Sequence, residues 1–257
     1  MTKELLSAAT EIAKIGGHHT LQYFKQNIEI IEKEDDSPVT IADRETEEII
    51  REEILKRYPD HGIIGEEFGK TNEGSNIQWV LDPIDGTKSF IHGVPFYTTL
   101  IGIMIDNEPQ VGIIYAPALE ELCAAAIGHG ATFNGKPCKV RDTEKLEDST
   151  LLVTEILRFK ENGQQELFME LMEKTKLHRT WGDAYGHLMV ATGRADLMYD
   201  PVLNIWDAAA LLPVVQEAGG VFSDVKGEET IHSGNGFSTN KKLFPKVKSI
   251  FEKHNIQ

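Results

Sequence analysis

Trp79-Val80-Leu81-Asp82-Pro83-Ile84-Asp85-Gly86-Thr87 is the stretch on which the reading of the chain turns. The apolar run Trp79 to Leu81 reads as a buried strand, and it runs out into two carboxylates and a Gly-Thr pair. Acids at the end of a buried strand lie at a sheet edge, where a site can form. Asp82 and Asp85 are hard oxygen donors suited to Mg²⁺. Pro83 fixes φ and turns the chain, so that both acids can face one point. Gly86 lets backbone approach a ligand closely, and Thr87 adds a hydroxyl and an N–H. Together these are the parts needed to hold a metal-bound phosphate. A strand followed by an Asp-, Pro- and Gly-rich turn is also common without any ligand, so the rest of the chain has to decide.

Working outward, three more acids occupy comparable places. Ser37-Pro38-Val39-Thr40-Ile41-Ala42-Asp43 leads into a helix that Thr40 or Asp43 can cap and that runs to about Arg57, with Ile49, Ile50 and Ile54 as its buried stripe. Asp43 there is favoured by the helix dipole, a role compatible with a place in a metal site. Glu66 and Glu67 follow the short apolar pair Ile63-Ile64, with glycines on both sides, and taken alone they read as surface charge. Asp207 opens the apolar helix Asp207 to Ala218, where an N-cap role accounts for it by itself. Each of Asp43, Glu66, Asp82, Asp85 and Asp207 has such a plain account. Jointly they fit a polynuclear metal site better than five coincidences.

The remaining pattern gives the frame. Lys3 to about Gly16 has helical spacing in Leu5, Leu6, Ala9, Ile12 and Ala13, with Gly16-Gly17 expected to end or interrupt it. Lys33 to Asp36 reads as a solvated loop, a candidate lid over Asp43. Lys88 to Pro95 reads as a loop. Tyr97 to Ile105, Val111 to Tyr115 and Leu122 to Ile127 read as a strand meander, with turns at 106–109 and near Asn134-Gly135. This half resembles helices on a mostly antiparallel sheet. Arg141 to Ser149 is polar, which places a boundary between an N-terminal α+β subdomain at 1–143 and a C-terminal α/β subdomain at 144–257. In the second half, strands at 151–154, 177–180 and 195–199 alternate with helices at 164–174, 184–192 and 207–218, and short strands follow at Val221-Phe222 and Phe237-Ser238.

Bulk properties narrow the partners. At 257 residues the chain can bury a large core. A net charge of −15 makes nucleic acid and anionic membrane poor partners, so phosphate handling calls for a local positive charge such as bound metal. No window approaches the ~18 apolar residues of a membrane span. Met1-Thr2-Lys3-Glu4 does not read as a secretory signal, and a cytoplasmic location is expected. Cys123 and Cys138 match no zinc spacing and read as buried thiols.

The ordered set Gly65-Glu66-Glu67, Asp82-Pro83-Ile84-Asp85-Gly86-Thr87, Trp206-Asp207-Ala208-Ala209 and Glu217-Ala218-Gly219-Gly220 resembles the inositol monophosphatase superfamily, over most of the chain from Ser37 to about Asn240. The resemblance implies a layered αβαβα sandwich, often a homodimer. It also implies a Mg²⁺-dependent, lithium-sensitive phosphomonoesterase with two or three metal ions per site, Mn²⁺ being an acceptable substitute. It assigns Glu66, Asp82, the Ile84 carbonyl, Asp85 and Asp207 as metal ligands, with Asp43 holding a further, weaker metal through water. Gly86 and Thr87 would give N–H groups to the phosphate, and the Thr87 hydroxyl would orient the attacking water with Glu66. A rival phosphatase design uses a nucleophilic Asp in an Asp-x-Asp-Gly-Thr motif. Here the acids are three apart, so that alignment fails.

The metal core touches the phosphate and cannot name the rest of the substrate. Lys88-Ser89 stands where inositol-phosphate members usually have Thr-Asn. Arg179-Thr180-Trp181-Gly182-Asp183-Ala184-Tyr185-Gly186 and Asp200-Pro201-Val202-Leu203-Asn204-Ile205-Trp206-Asp207 look like the histidinol-phosphatase branch. Asp183 and Asp200 would then face a cationic substrate end, with Asn204 adding a polar contact; helix capping is an equal account of Asp183. Arg179 and His187 read as structural. The expected substrate is L-histidinol phosphate, in histidine biosynthesis, with an inositol or broad sugar monophosphatase as the alternative. A silent metal- or anion-binding regulator is the reading from another class, disfavoured because every expected ligand is present.

Overall fold

The computed structural model of the chain describes residues 1–32 and 38–254; the loop expected at 33–36 lies outside the described residues. The first half holds α1 (Thr2–Thr20), a hairpin of β1 (Ile30–Glu32) and β2 (Pro38–Thr40), α2 (Ile41–Arg57), β3 (Gly62–Gly65), β4 (Gly69–Thr71), β5 (Ile77–Asp85), α3 (Thr87–Ile91), β6 (Thr98–Ile105), β7 (Glu108–Ala116), β8 (Glu121–Ala126), β9 (Ala131–Phe133) and β10 (Lys136–Pro137). The second half holds β11 (Thr150–Val153), α4 (Ile156–Glu161), α5 (Gln165–Lys174), β12 (Leu177–Arg179), α6 (Asp183–Ala191), β13 (Leu197–Asp200), α7 (Ile205–Glu217), β14 (Gly220–Ser223), β15 (Gly236–Asn240) and α8 (Phe244–Lys253).

These elements stack in five layers. Helices α1 and α2 cover one face of an eight-stranded sheet of order β10-β9-β8-β7-β6-β5-β3-β4, in which only the β3–β5 pair is parallel. Helices α6 and α7 fill the space between that sheet and a five-stranded sheet of order β12-β11-β13-β15-β14. Helices α5 and α8 close the outer side of the second sheet through Phe168, Leu171, Val247 and Phe251. The expected αβαβα sandwich is therefore present.

Strand β5 shows why the opening stretch is apolar throughout: it is buried on both faces, as a strand between helix layers must be. With a period of two, Trp79 and Leu81 pack toward α1 and α2, while Val80 packs toward α7. Asp82 shares the side of Val80, and so is aimed at the layer that carries Asp207. The strand does not end at Leu81. It continues to Asp85, and its register against β6 slips between Asp82 and Asp85, where Pro83 has no N–H to give.

Other expectations are corrected. Gly16 and Gly17 do not end α1, which continues to Thr20. They are contact points: a Cβ would meet the Ile50 side chain at 2.6 Å from Gly16 and the Tyr115 ring at 2.5 Å from Gly17. Lys88 to Ile91 is helix α3 rather than loop. Helices α4 and α8 had not been expected at all. Helix α7 is buried from Ala208 to Val215. Its apolarity comes from lying between two sheets, and among the described residues no helix is long and apolar enough to cross a membrane.

Candidate metal and phosphate site

Six chain segments converge on one cleft of about 610 Å³, lined by Pro38, Glu66, Asp85, Gly86, Thr87, Lys88, Thr154, Glu155, Arg158, Asp183, Asp200, Asn204 and Asp207 among others. The parallel pairing of β3 with β5 sets Gly65 opposite Leu81, and the Glu66 N–H donates to the Leu81 carbonyl at 3.2 Å. Glu66 thus follows β3 at the level where Asp82 follows Leu81. Carboxylate oxygens of Asp82, Asp85 and Asp207 all lie within 4.8 Å of one another, a spacing one metal ion could span.

Each acid is held by local chemistry. Asp82 Oδ1 accepts the Ile84 N–H at 3.0 Å, which closes the bulge at Pro83. Asp85 Oδ2 accepts the Thr98 hydroxyl at 3.0 Å and the Ala184 N–H at 2.8 Å, so α6 is docked directly on a site acid. Asp207 Oδ2 accepts the Asn204 N–H at 2.7 Å. This is a capping box in which Asn204 is the N-cap and Asp207 the third helical residue, so Asp207 itself is not the cap. Thr40 and Asp43 form the same device on α2, Asp43 Oδ2 accepting the Thr40 N–H and hydroxyl at 2.8 and 2.7 Å. The other oxygen of Asp43 lies 3.4 Å from the Thr87 hydroxyl, which also reaches the Ile84 carbonyl at 3.0 Å.

Crowding of acids away from water raises their pKa values. Burial pushes Asp43 up to about 6 against the lowering pull of its Thr40 bonds. Burial lifts Asp82 well above the carboxylate range, helped by Glu66, Asp85 and Asp207. Burial does the same to Asp85, helped by Asp183 and Asp207. Asp207 is pushed to about 7 by burial, although its bonds to the Asn204 N–H and Asp82 pull it down. At neutral pH this group retains protons that a divalent cation can displace, which is how a metal site behaves without its ion.

The expected substrate residues lie on the second-half wall. Asp183 has φ 53, left-handed for a non-glycine residue, and its N–H donates to Thr154 Oγ1 at 2.7 Å. Gly182, not Asp183, is the N-cap of α6, and Asp183 is its first helical residue, so N-capping does not account for it. Its carboxylate rests over Gly86, where a Cβ would come within 2.9 Å of Asp183 Oδ2. Burial, then the Asp200 charge, lift Asp183 to about 7. Asp200 is already engaged: Thr154 donates to one oxygen, and the buried ring of His187 stands 3.2 Å from the other, with Ser238 at 2.6 Å behind it. His187, set aside as structural, therefore backs a cleft acid. Lys88 Nζ donates to Glu155 at 2.9 Å across the mouth, beside Arg158. The sequence pattern assigns no site role to Thr154, Glu155 or Arg158, although Thr154-Glu155 stand at the end of an apolar strand, the signal that picks out Asp82.

A family model described as the inositol monophosphatase family matches residues 1–255. A histidinol-phosphatase of Chlorobaculum parvum is 42% identical over 232 residues, covering 90% of this chain and 90% of its own. A fructose-1,6-bisphosphatase/inositol-1-monophosphatase of Aquifex aeolicus is 35% identical over 247 residues, covering 91% of each. Among solved structures, the extragenic suppressor protein suhB of Bartonella henselae superposes with a TM-score of 0.91 at 29% identity, over 97% of this chain and 99% of that one. With the whole chain matched and the acids gathered at one cleft, the chain belongs to the inositol monophosphatase family, and so to the metal-dependent phosphoric monoester hydrolases.

Proposed function

We propose that the chain hydrolyses L-histidinol phosphate to L-histidinol and phosphate, using Mg²⁺, as a step of histidine biosynthesis. The observation that carries this reading is the placement of Asp183: a half-buried carboxylate lying against Gly86, on the wall facing the acid cluster. An ammonium or protonated imidazole is the natural partner of such an acid, and Asp200 beside it adds to the negative field. The relative named for this activity at 42% identity supports the same substrate.

Glu66, Asp82, the Ile84 carbonyl, Asp85 and Asp207 are the ligands, with Asp43 adding a weaker position. When bound, Mg²⁺ supplies positive charge to the phosphate oxygens and acidifies a water at neutral pH. The chain does the rest. Gly86 and Thr87 offer backbone N–H groups to the phosphate. The Thr87 hydroxyl has one proton; given to Asp43, it leaves its lone pairs for the attacking water, which Glu66 holds from the other side. Lys88, paired with Glu155, guards the entrance without presenting a bare cation to a cationic substrate. Asn204 holds Asp207 through its N–H and, in the same capping box, through its side chain, whose remaining hydrogen-bonding capacity is what it offers the ring.

A second reading, inositol or broad sugar monophosphatase, is favoured by the hydrogen bonds that already engage each oxygen of Asp200 and by the Aquifex aeolicus relative. Turnover of L-histidinol phosphate and inositol 1-phosphate, side by side with Mg²⁺, separates the two. Preference for inositol phosphate would overturn the first reading. The same proposal includes subdomains at 1–143 and 144–257, a homodimer and a cytoplasmic location.

A further inference from the structure

Asp43, Glu47 and Arg51 follow one another at four-residue steps on α2, and so share one face of that helix. Glu47 is fully buried. Its Oε2 accepts the Glu67 N–H at 2.8 Å, and its Oε1 accepts the Phe68 N–H at 3.2 Å and Arg51 Nε at 2.7 Å. Arg51 then reaches across the turn to the Gly69 carbonyl and, at 3.0 Å, to the Thr71 hydroxyl. Gly65 makes room for the clamp, since a Cβ there would come within 1.9 Å of Glu47 Oε1. The turn from Gly65 to Gly69, which carries Glu66, is thus gripped by a buried ion pair rather than by apolar packing.

Burying a carboxylate is costly unless it is paired and hydrogen-bonded, and apolar residues often hold two elements together as well or better. What a carboxylate with two bound N–H groups adds is direction. We propose that Glu47, braced by Arg51, is a positioning residue for the metal centre. It fixes the turn bearing Glu66 relative to Asp43, so that one helix sets both the ligand at the end of β3 and the acid facing Thr87. This inference rests on the reading of Glu66 as a metal ligand.

The test is Mn²⁺ binding by the full chain, followed through the electron paramagnetic resonance signal of free Mn²⁺. Glu47→Gln is expected to weaken binding ~10- to 100-fold, the range for residues that orient metal ligands. Ile54→Val, a cavity in the same helix, is the control for stability: it should lower the melting temperature while Mn²⁺ affinity holds. Should Glu47→Gln fail to fold, Arg51→Lys decides the matter, because lysine cannot hold Glu47, Gly69 and Thr71 together; weaker binding is expected. Wild-type affinity in folded Glu47→Gln, or in Arg51→Lys where that variant decides, would overturn the inference. An equal loss in Ile54→Val would overturn it too. Wild-type affinity in Glu66→Gln would overturn the ligand reading and this inference with it, whereas wild-type affinity in Glu47→Gln beside a weakened Glu66→Gln overturns this inference alone.

Discussion

The Thr87 hydroxyl lies 3.4 Å from Asp43 Oδ1, and the other oxygen of Asp43 is fixed by the amide and hydroxyl of Thr40. Asp43 therefore has two jobs, capping α2 with one oxygen and facing Thr87 with the other. Asp43→Asn is expected to lower kcat by ~10²- to 10⁴-fold, the usual contribution of a group that handles a proton. It should also cost about 1 kcal/mol of stability through the weakened cap. Thr87→Ala should lower kcat to a similar degree with no change in stability of that kind. If the two act as one unit, the double variant is no slower than the slower single variant. Multiplied losses in the steady-state kinetics would show that Asp43 does not act through Thr87.

The raised acids give the metal-free protein a definite pH dependence. Asp43, at about 6, and Asp183 and Asp207, at about 7, hold protons when folded that they would release when unfolded. Stability from this source is fully present below the ordinary carboxylate pKa and is lost as pH rises through about 6 and then about 7. Melting in EDTA should therefore occur at lower temperature at pH 8 than at pH 5. Added Mg²⁺ should raise the melting temperature most at the alkaline end, where the ligands are already ionised, and its binding near pH 6.5 should release protons. A melting temperature in EDTA that does not fall between those two pH values would rule this out.

The parts of the molecule that could be read from sequence are those with a local signature. The run Trp79 to Leu81 announces a strand buried on both faces, and the acids after it stand out because they break the run. The period of two even carries Asp82 to the α7 side. What could not be read depends on partners distant in sequence. Gly16 and Gly17 carry the signal of a helix end, and only contact with Ile50 and Tyr115 makes them helix interior. Glu47 looks like one more charge on a charged helix until β3 is laid beside β5 and its turn comes to rest on that carboxylate. By contrast, Leu243, Val247, Ile250 and Phe251 have the helical spacing of α8 in plain view, and the Asn204-to-Asp207 interval has the form of a capping box.

Asp183 separates substrate choice from metal binding. Its left-handed backbone is one that asparagine also tolerates, so Asp183→Asn should keep the turn and its bond to Thr154. The change removes the charge. A hydrogen bond to an ionised group contributes roughly 1.5–3 kcal/mol, so KM for L-histidinol phosphate should rise ~10- to 100-fold. Turnover of a neutral sugar phosphate and the Mg²⁺ activation midpoint should stay where they are. A collapse of metal affinity in this variant would mean that Asp183 serves the acid cluster rather than the cationic end of the substrate.

The position of Asp207 depends on how closely α7 approaches the first sheet. At Gly112 on β7 a Cβ would come within 2.1 Å of the Ala210 carbonyl oxygen, and at Gly102 on β6 within 2.6 Å of the Ala209 Cβ. Both contacts fall on the first turns of α7, two and three residues past Asp207. Gly112→Ala must push that end of the helix off the sheet, an overpacking that costs about 1–3 kcal/mol. Because Asp207 rides on the displaced turn, divalent-ion affinity should fall as well. Gly74→Ala, where nothing stands within 4 Å of the added carbon, should change neither property. Urea unfolding together with Mn²⁺ titration reads both. Lost stability in Gly112→Ala with full metal affinity would show that the seating of α7 on Gly112 does not set the geometry of the acid cluster.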